Sequence, residues 1–146
     1  TPPLSLGLMP EVQATREAVL ALQQADMIIL GPGSFLTSIM PPLLLAEIAQ
    51  AINESSAMLV FVCNLVAENG PASQLDLMSQ CRWLESRVGQ GRLDAILAPR
   101  GAGDAGAWQG RLIDADLGEL ELPHRHDRLK LKLALDRIIQ PLLNQR

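Results

Sequence analysis

Residues 25–52, "ADMIILGPGSFLTSIMPPLLLAEIAQAI", set two apolar segments either side of a run of Gly, Pro, Ser and Thr. Met27-Ile28-Ile29-Leu30 has the length of a strand, is apolar on both faces and is stopped by Gly31. That is the pattern of a strand in a parallel sheet covered on both sides. Pro41 and Pro42 can open a helix but cannot sit far inside one, so a long helix is expected over 41–53. A short helical turn is expected around 35–40. Between strand and helix lie Gly31, Pro32, Gly33, Ser34, Thr37 and Ser38, either as a plain turn or as a turn built to hold something.

Working outward, apolar residues near helical spacing predict a helix over 10–24, with Pro10 and Glu11 suited to its first turn. "MLVFVCNL", 58–65, reads as a second buried strand, followed by a loop over 66–73 around Asn69-Gly70-Pro71. Helical spacing returns over 74–88 and ends at Gly89 and Gly91. Residues 93–99 form a third strand, 100–110 a Gly-rich and potentially mobile loop, and 111–117 a fourth strand. Asp127 is placed to cap a last helix, with Leu131, Leu135, Ile138 and Leu142 inward and Pro141 bending or ending it. Helix and strand alternate throughout, which predicts an open, mostly parallel α/β sandwich with right-handed crossovers.

The 146 residues are 48% apolar and 19% charged, enough for the core of a single domain covering 1–146. A net charge of −4 without a basic run argues against nucleic acid as a partner. Two cysteines provide no metal or disulfide framework and fit a reducing, cytoplasmic setting. No apolar run has the length of a membrane span. The chain opens "TPPLSLGLMPE" without Met, as the middle of a longer protein would.

Ligands of open parallel sheets gather beyond the carboxyl ends of the strands. Three such ends are legible: 31–38, 64–70 and 99–103. In the first, Gly31 and Gly33 allow close backbone approach, while Ser34, Thr37 and Ser38 add hydroxyls beside a helix start that favours an anion. It is neither a P-loop nor the Gly-x-Gly-x-x-Gly fingerprint. Asn64, at the end of the second strand, either reads a ligand or bonds loop backbone. Glu68 reads as a solvated loop carboxylate, with base or sugar ligand as the sharper alternative. His124-Arg125-His126-Asp127 makes weak metal spacing, so no metal is expected. Arg125 or His126 could touch a phosphate, or the segment is a polar linker, and Arg100 poses the same choice. Neither Trp83 nor Trp108 belongs to a stacking platform. No serine has an arguable His/Asp partner and Cys63 reads as buried, so no catalytic residue is assigned.

Residues 25–52 followed by "VFVCNL" resemble the CofD-like family, which includes 2-phospho-L-lactate transferase and the YvcK-type gluconeogenesis factors. The bacterial YvcK-type pattern is matched at Gly31, Pro32, Gly33, Ser34, Thr37, Ser38, Ile39, Pro41, Leu43, Leu44, Cys63 and Asn64. "LDAILAP" and "HDRLKL" are weaker echoes. Family members are longer and open with a Gly-Gly-Thr-Gly-like loop that these residues lack. The resemblance therefore implies the carboxyl-terminal part of a Rossmann-like domain, holding only part of a nucleotide site.

The implied ligand is a phosphorylated nucleotide: a UDP-sugar in the YvcK-type branch, with GDP or NAD as alternatives. It would be held by Gly31, Gly33, Ser34, Thr37, Ser38 and Asn64. The implied role is regulation of carbon metabolism and cell-wall growth by binding without turnover. A phosphoryl-group transferase is the alternative. An exposed sheet edge also leads us to expect association with a second copy.

Overall fold

The first strand forms where the sequence predicts it, and everything else is ordered around it. The computed structural model describes residues 3, 5–102, 110–122 and 124–144, with only the backbone of 142 and 143. Helix α1 (Arg16–Gln24) leads into strand β1 (Met27–Leu30). A π-helical turn (Phe35–Ile39) runs into α2 (Met40–Leu43) and then α3 (Ala46–Glu54). Strand β2 (Met58–Val62), a 3-10 turn (Gly70–Gln74) and α4 (Leu77–Val88) follow. Strands β3 (Ala95–Pro99) and β4 (Arg111–Ala115) precede α5 (Arg128–Leu143).

The four strands lie in the order β1-β2-β3-β4, all parallel. Ile28, Leu30, Leu59, Phe61, Ile96 and Ala98 project to one face, where Leu22 of α1, Ile48 and Ile52 of α3 and Leu84 and Val88 of α4 pack on them. Val60, Val62, Ala95 and Leu97 project to the other, under Ala134 and Ile138 of α5. This is the three-layer α/β sandwich expected. Alternation along doubly buried strands gives each face its own core.

Several boundaries move, each for a local reason. Helix α1 starts at Arg16 rather than Pro10 because Thr15 caps it, its Oγ1 accepting from the Ala18 N–H at 3.2 Å. The helix expected over 41–53 is broken, its two halves crossing at 77°. The Leu44 and Leu45 amides turn back to the Pro41 and Pro42 carbonyls, and Arg87 donates to the Leu43 and Leu44 carbonyls at 3.1 and 3.2 Å. Helix α4 begins at Leu77 rather than at 74, since Asp76 caps it through the Ser79 N–H at 2.8 Å. Strand β2 ends at Val62 and β4 at Ala115, two or three residues early. Helix α5 runs through Pro141 to Leu143; Leu131 and Leu135 are half-buried and Ile138 is buried. Most of the Gly-rich loop, with Trp108, and the side chain of Leu142 lie outside the described residues.

Candidate functional site

The loop after β1 is held by the strand beside it. Gly31 has φ +88°, and a Cβ there would stand 2.7 Å from the Val62 carbonyl oxygen. Only glycine lets the chain turn away from β1 this close to the end of β2. Gly33 is tight too: an added Cβ would meet the Ser38 Cβ at 3.3 Å. The Ser34 carbonyl accepts from both the Ser38 and Ile39 amides, at 2.9 and 3.0 Å, which starts the π-helical turn. Phe35 anchors that turn, packing edge-on against Phe61 at 6.0 Å and Trp83 at 6.4 Å between ring centres. Trp83 is thus a core aromatic.

Two side chains from beyond β2 reach this loop. Asn64 donates through Nδ2 to the Gly33 carbonyl at 3.0 Å. Glu68, half-buried, accepts from the Phe35 N–H through Oε2 at 3.0 Å. The expectation of a solvated Glu68 is therefore corrected. Its carboxylate satisfies the first amide of the helical turn, a group otherwise left without an intrahelical partner. Asn64 fulfils the loop-bonding alternative, and the same bond fixes it at the rim.

Between these elements opens a cavity of about 290 Å³. Gly33, Asn64, Glu68, Asp76 and Gln80 line it, together with Pro99 of β3. It lies beyond the carboxyl ends of β1, β2 and β3, the side of an open parallel sheet on which ligands gather. Among the described residues its lining holds two carboxylates and no Lys or Arg. Thr37 and Ser38 are exposed on the outer side of the loop; Ser38 and Gly31 border a separate, apolar groove along β1. The structure thus brings Gly33 and Asn64 together at the cavity and sets Gly31 and Ser38 toward the groove. Arg125 instead pairs with Glu119 at 3.4 Å and is exposed, and neither it nor Arg100 lines the cavity.

Cys63 is buried at the end of β2, and burial with the neighbouring Cys81 pushes its thiol up to about 12. A thiol so protonated is no nucleophile at neutral pH. His126 lies against the Cys63 backbone, its Nε2 buried without a hydrogen-bond partner among the described residues. Burial lowers its pKa, outweighing the backbone hydrogen bond to Cys63, so neutral imidazole is favoured.

The family model described as "2-phospho-L-lactate transferase CofD" matches residues 3–142. A Yersinia pestis protein named "Putative gluconeogenesis factor" is 42% identical over 141 residues, covering 96% of this chain and 46% of the relative. Likewise named proteins of Pasteurella multocida and Vibrio cholerae are 40% and 45% identical, covering 96% and 90% of this chain and 46% and 44% of theirs. The chain thus spans a little under half the length of these relatives. A Bacillus halodurans crystal structure, described as a member of the upf0052 family, aligns with TM-score 0.73 and 26% identity over 84% of this chain and 46% of that one. A second crystal structure from the same organism gives TM-score 0.74 and 26% identity over 86% and 48%. The glycine-turned loop after β1, its bond to Asn64 and these matches converge: the chain belongs to the CofD family, among relatives named as gluconeogenesis factors.

Proposed function

We propose that this chain forms one wall of a nucleotide-sugar site in a regulatory protein of the YvcK type, acting by binding rather than turnover. The observation that carries the reading is the convergence of Gly33, Asn64 and Glu68 from two neighbouring strand ends onto one cavity. Glu68 and Asp76 accept hydrogen bonds, which suits the hydroxyl and N–H donors of a sugar or a uracil ring better than a phosphate. A cavity of about 290 Å³ has room for one such moiety. The phosphates would then extend from the cavity across Gly33 and Ser34 toward the exposed hydroxyls of Thr37 and Ser38. Asn64 would keep its amide oxygen for the ligand while Nδ2 holds the loop. The cellular role that follows is control of carbon metabolism and cell-wall growth in the cytoplasm.

The family model's transferase description supplies the second reading, phosphoryl-group transfer. Calorimetric titration of UDP-N-acetylglucosamine, GDP and NAD into a full-length protein carrying these residues separates the two. Saturable UDP-sugar binding without product supports the regulator. Preferential GDP binding, with turnover once an acceptor is added, supports the transferase. Ser34→Ala with Thr37→Ala removes two donors worth roughly 1.5–3 kcal/mol each to a charged partner. Unchanged affinity in that double variant would reduce the loop to a plain turn.

A further inference from the structure

The polar side chains around the cavity are turned the same way. Asn64 gives its nitrogen to the Gly33 carbonyl at 3.0 Å, and Gln80 gives its nitrogen to the Leu75 carbonyl at 3.0 Å. Each partner is a carbonyl oxygen, so neither amide can be reversed without setting oxygen against oxygen. Both therefore keep the amide oxygen as the acceptor for an occupant. The Ser73 hydroxyl donates to the Gly70 carbonyl at 2.7 Å. Glu68 and Asp76, as carboxylates, have nothing to donate.

The carboxylates are also held in place. Swinging Glu68 away would strip the Phe35 N–H of its partner. Asp76 caps α4, accepting from the Ser79 N–H at 2.8 Å. Five side chains lining one cavity thus have their donors committed or have none, and among the described residues no Lys or Arg offsets them.

Such a lining sorts the pieces of a nucleotide sugar. Phosphate oxygens would find carboxylates there and no cation. Uracil brings a single N–H between carbonyls, and those carbonyls would face acceptors and stay unpaired. A hexose ring brings several hydroxyls, each able to donate. The volume of about 290 Å³ suits one ring and not a whole nucleotide. A sugar carboxylate is the exception among sugars, because it only accepts and adds a like charge beside Glu68 and Asp76.

We propose that the cavity takes the sugar end of the ligand, with the base outside, and that it selects uncharged hexoses against hexuronates. Glu68 and Asp76 set that choice. The inference rests on the nucleotide-sugar reading above and adds to it the class of sugar admitted.

UDP, UDP-glucose and UDP-glucuronate are titrated calorimetrically into a full-length protein carrying these residues. The two sugar nucleotides differ only at C6, hydroxymethyl in one and carboxylate in the other. UDP-glucose is expected to bind roughly 10-fold or more tightly than either UDP or UDP-glucuronate. Glu68→Gln with Asp76→Asn keeps both main-chain contacts, since an amide oxygen accepts as the carboxylate did. It should bring UDP-glucuronate to within about 3-fold of UDP-glucose. Equal affinities for UDP-glucose and UDP overturn the placement of the sugar. Equal affinities for UDP-glucose and UDP-glucuronate overturn the selection, and a preference unchanged in the double variant overturns the role of the carboxylates. Those results leave the nucleotide site standing, whereas no saturable binding of any of the three removes the site and the inference together. Should the double variant not fold, Glu68→Gln alone, which leaves the α4 cap intact, is read by the same ratio.

Discussion

Gly31→Ala should be the most damaging methyl group that can be added to the rim of this sheet. Its φ of +88° lies where a side-chain-bearing residue pays roughly 1–2 kcal/mol. The new Cβ would also stand 2.7 Å from the Val62 carbonyl oxygen. That oxygen is backbone at the end of a buried strand and cannot swing aside, so relief requires β1 and β2 to part, at roughly 1–3 kcal/mol. Together the two terms give roughly 2–5 kcal/mol, a large share of the stability of an ordinary domain. At about 3 °C per kcal/mol for a chain of this size, Tm should fall by roughly 6–15 °C. Gly70→Ala is the internal control. Its φ is +73° but nothing lies within 4 Å of the added Cβ, so only the backbone term applies. Thermal unfolding followed by circular dichroism measures both. Equal losses of Tm in the two variants would refute the claim that the loop is pressed against β2.

Three further outcomes follow from the same structure. Asn64→Leu breaks the Nδ2 bond to Gly33 and should cost about 1 kcal/mol in urea unfolding, with faster exchange at the Ser34 and Phe35 amides. Cys63 and Cys81 are both raised from 9.0 to about 12, so the folded state holds their protons more tightly than the unfolded state. Stability should therefore be undiminished by these thiols below pH 9.0 and fall as pH rises from there toward about 12, with iodoacetamide labelling either thiol only after unfolding. His126 is shifted the other way, below 6.5, so its contribution is present above 6.5 and is lost as pH falls through its lowered value. His126→Leu should flatten the urea midpoint between about pH 7 and pH 5, a window above the carboxylate titrations; an unchanged slope would contradict the burial of that ring.

What could be read in the sequence was local. "MIIL" before Gly31 and the Val-rich run before Asn64 announced their strands by composition and length, and alternation with helices then fixed the class of sheet. The glycine and hydroxyl pattern of residues 31–38 marked the turn at the carboxyl end of β1, and of its glycines and hydroxyls Gly33 lines the cavity. What could not be read was contact across distance. Glu68 looks like any loop carboxylate until Phe35, 33 residues earlier, is folded back against it. The break between α2 and α3 hides inside "PPLLLAEI", which carries no stop signal after its prolines. It is held open by Arg87, 44 residues from the Leu43 carbonyl it caps. Arg92, beside Gly91, carries no sign in the sequence of the contacts it makes. It is mostly buried, donating to the Ile52, Ser55 and Ala57 carbonyls while pairing with Asp94. The division of the loop, with Gly33 toward the cavity and Ser38 toward the β1 groove, depends on the π-helical turn and had no signature in residue type.

The central claim is that a nucleotide sugar meets this chain at the carboxyl ends of β1 and β2. Its most direct test is a titration of UDP-N-acetylglucosamine into a full-length protein carrying these residues in isotope-labelled form, followed by amide chemical shifts. Saturable shifts clustered at Gly33, Ser34, Thr37, Ser38 and the Asn64 side-chain amide are predicted. Shifts confined to the opposite end of the sheet, around Ser56, Arg92 and Asp94, or no saturable change at the loop, would contradict it.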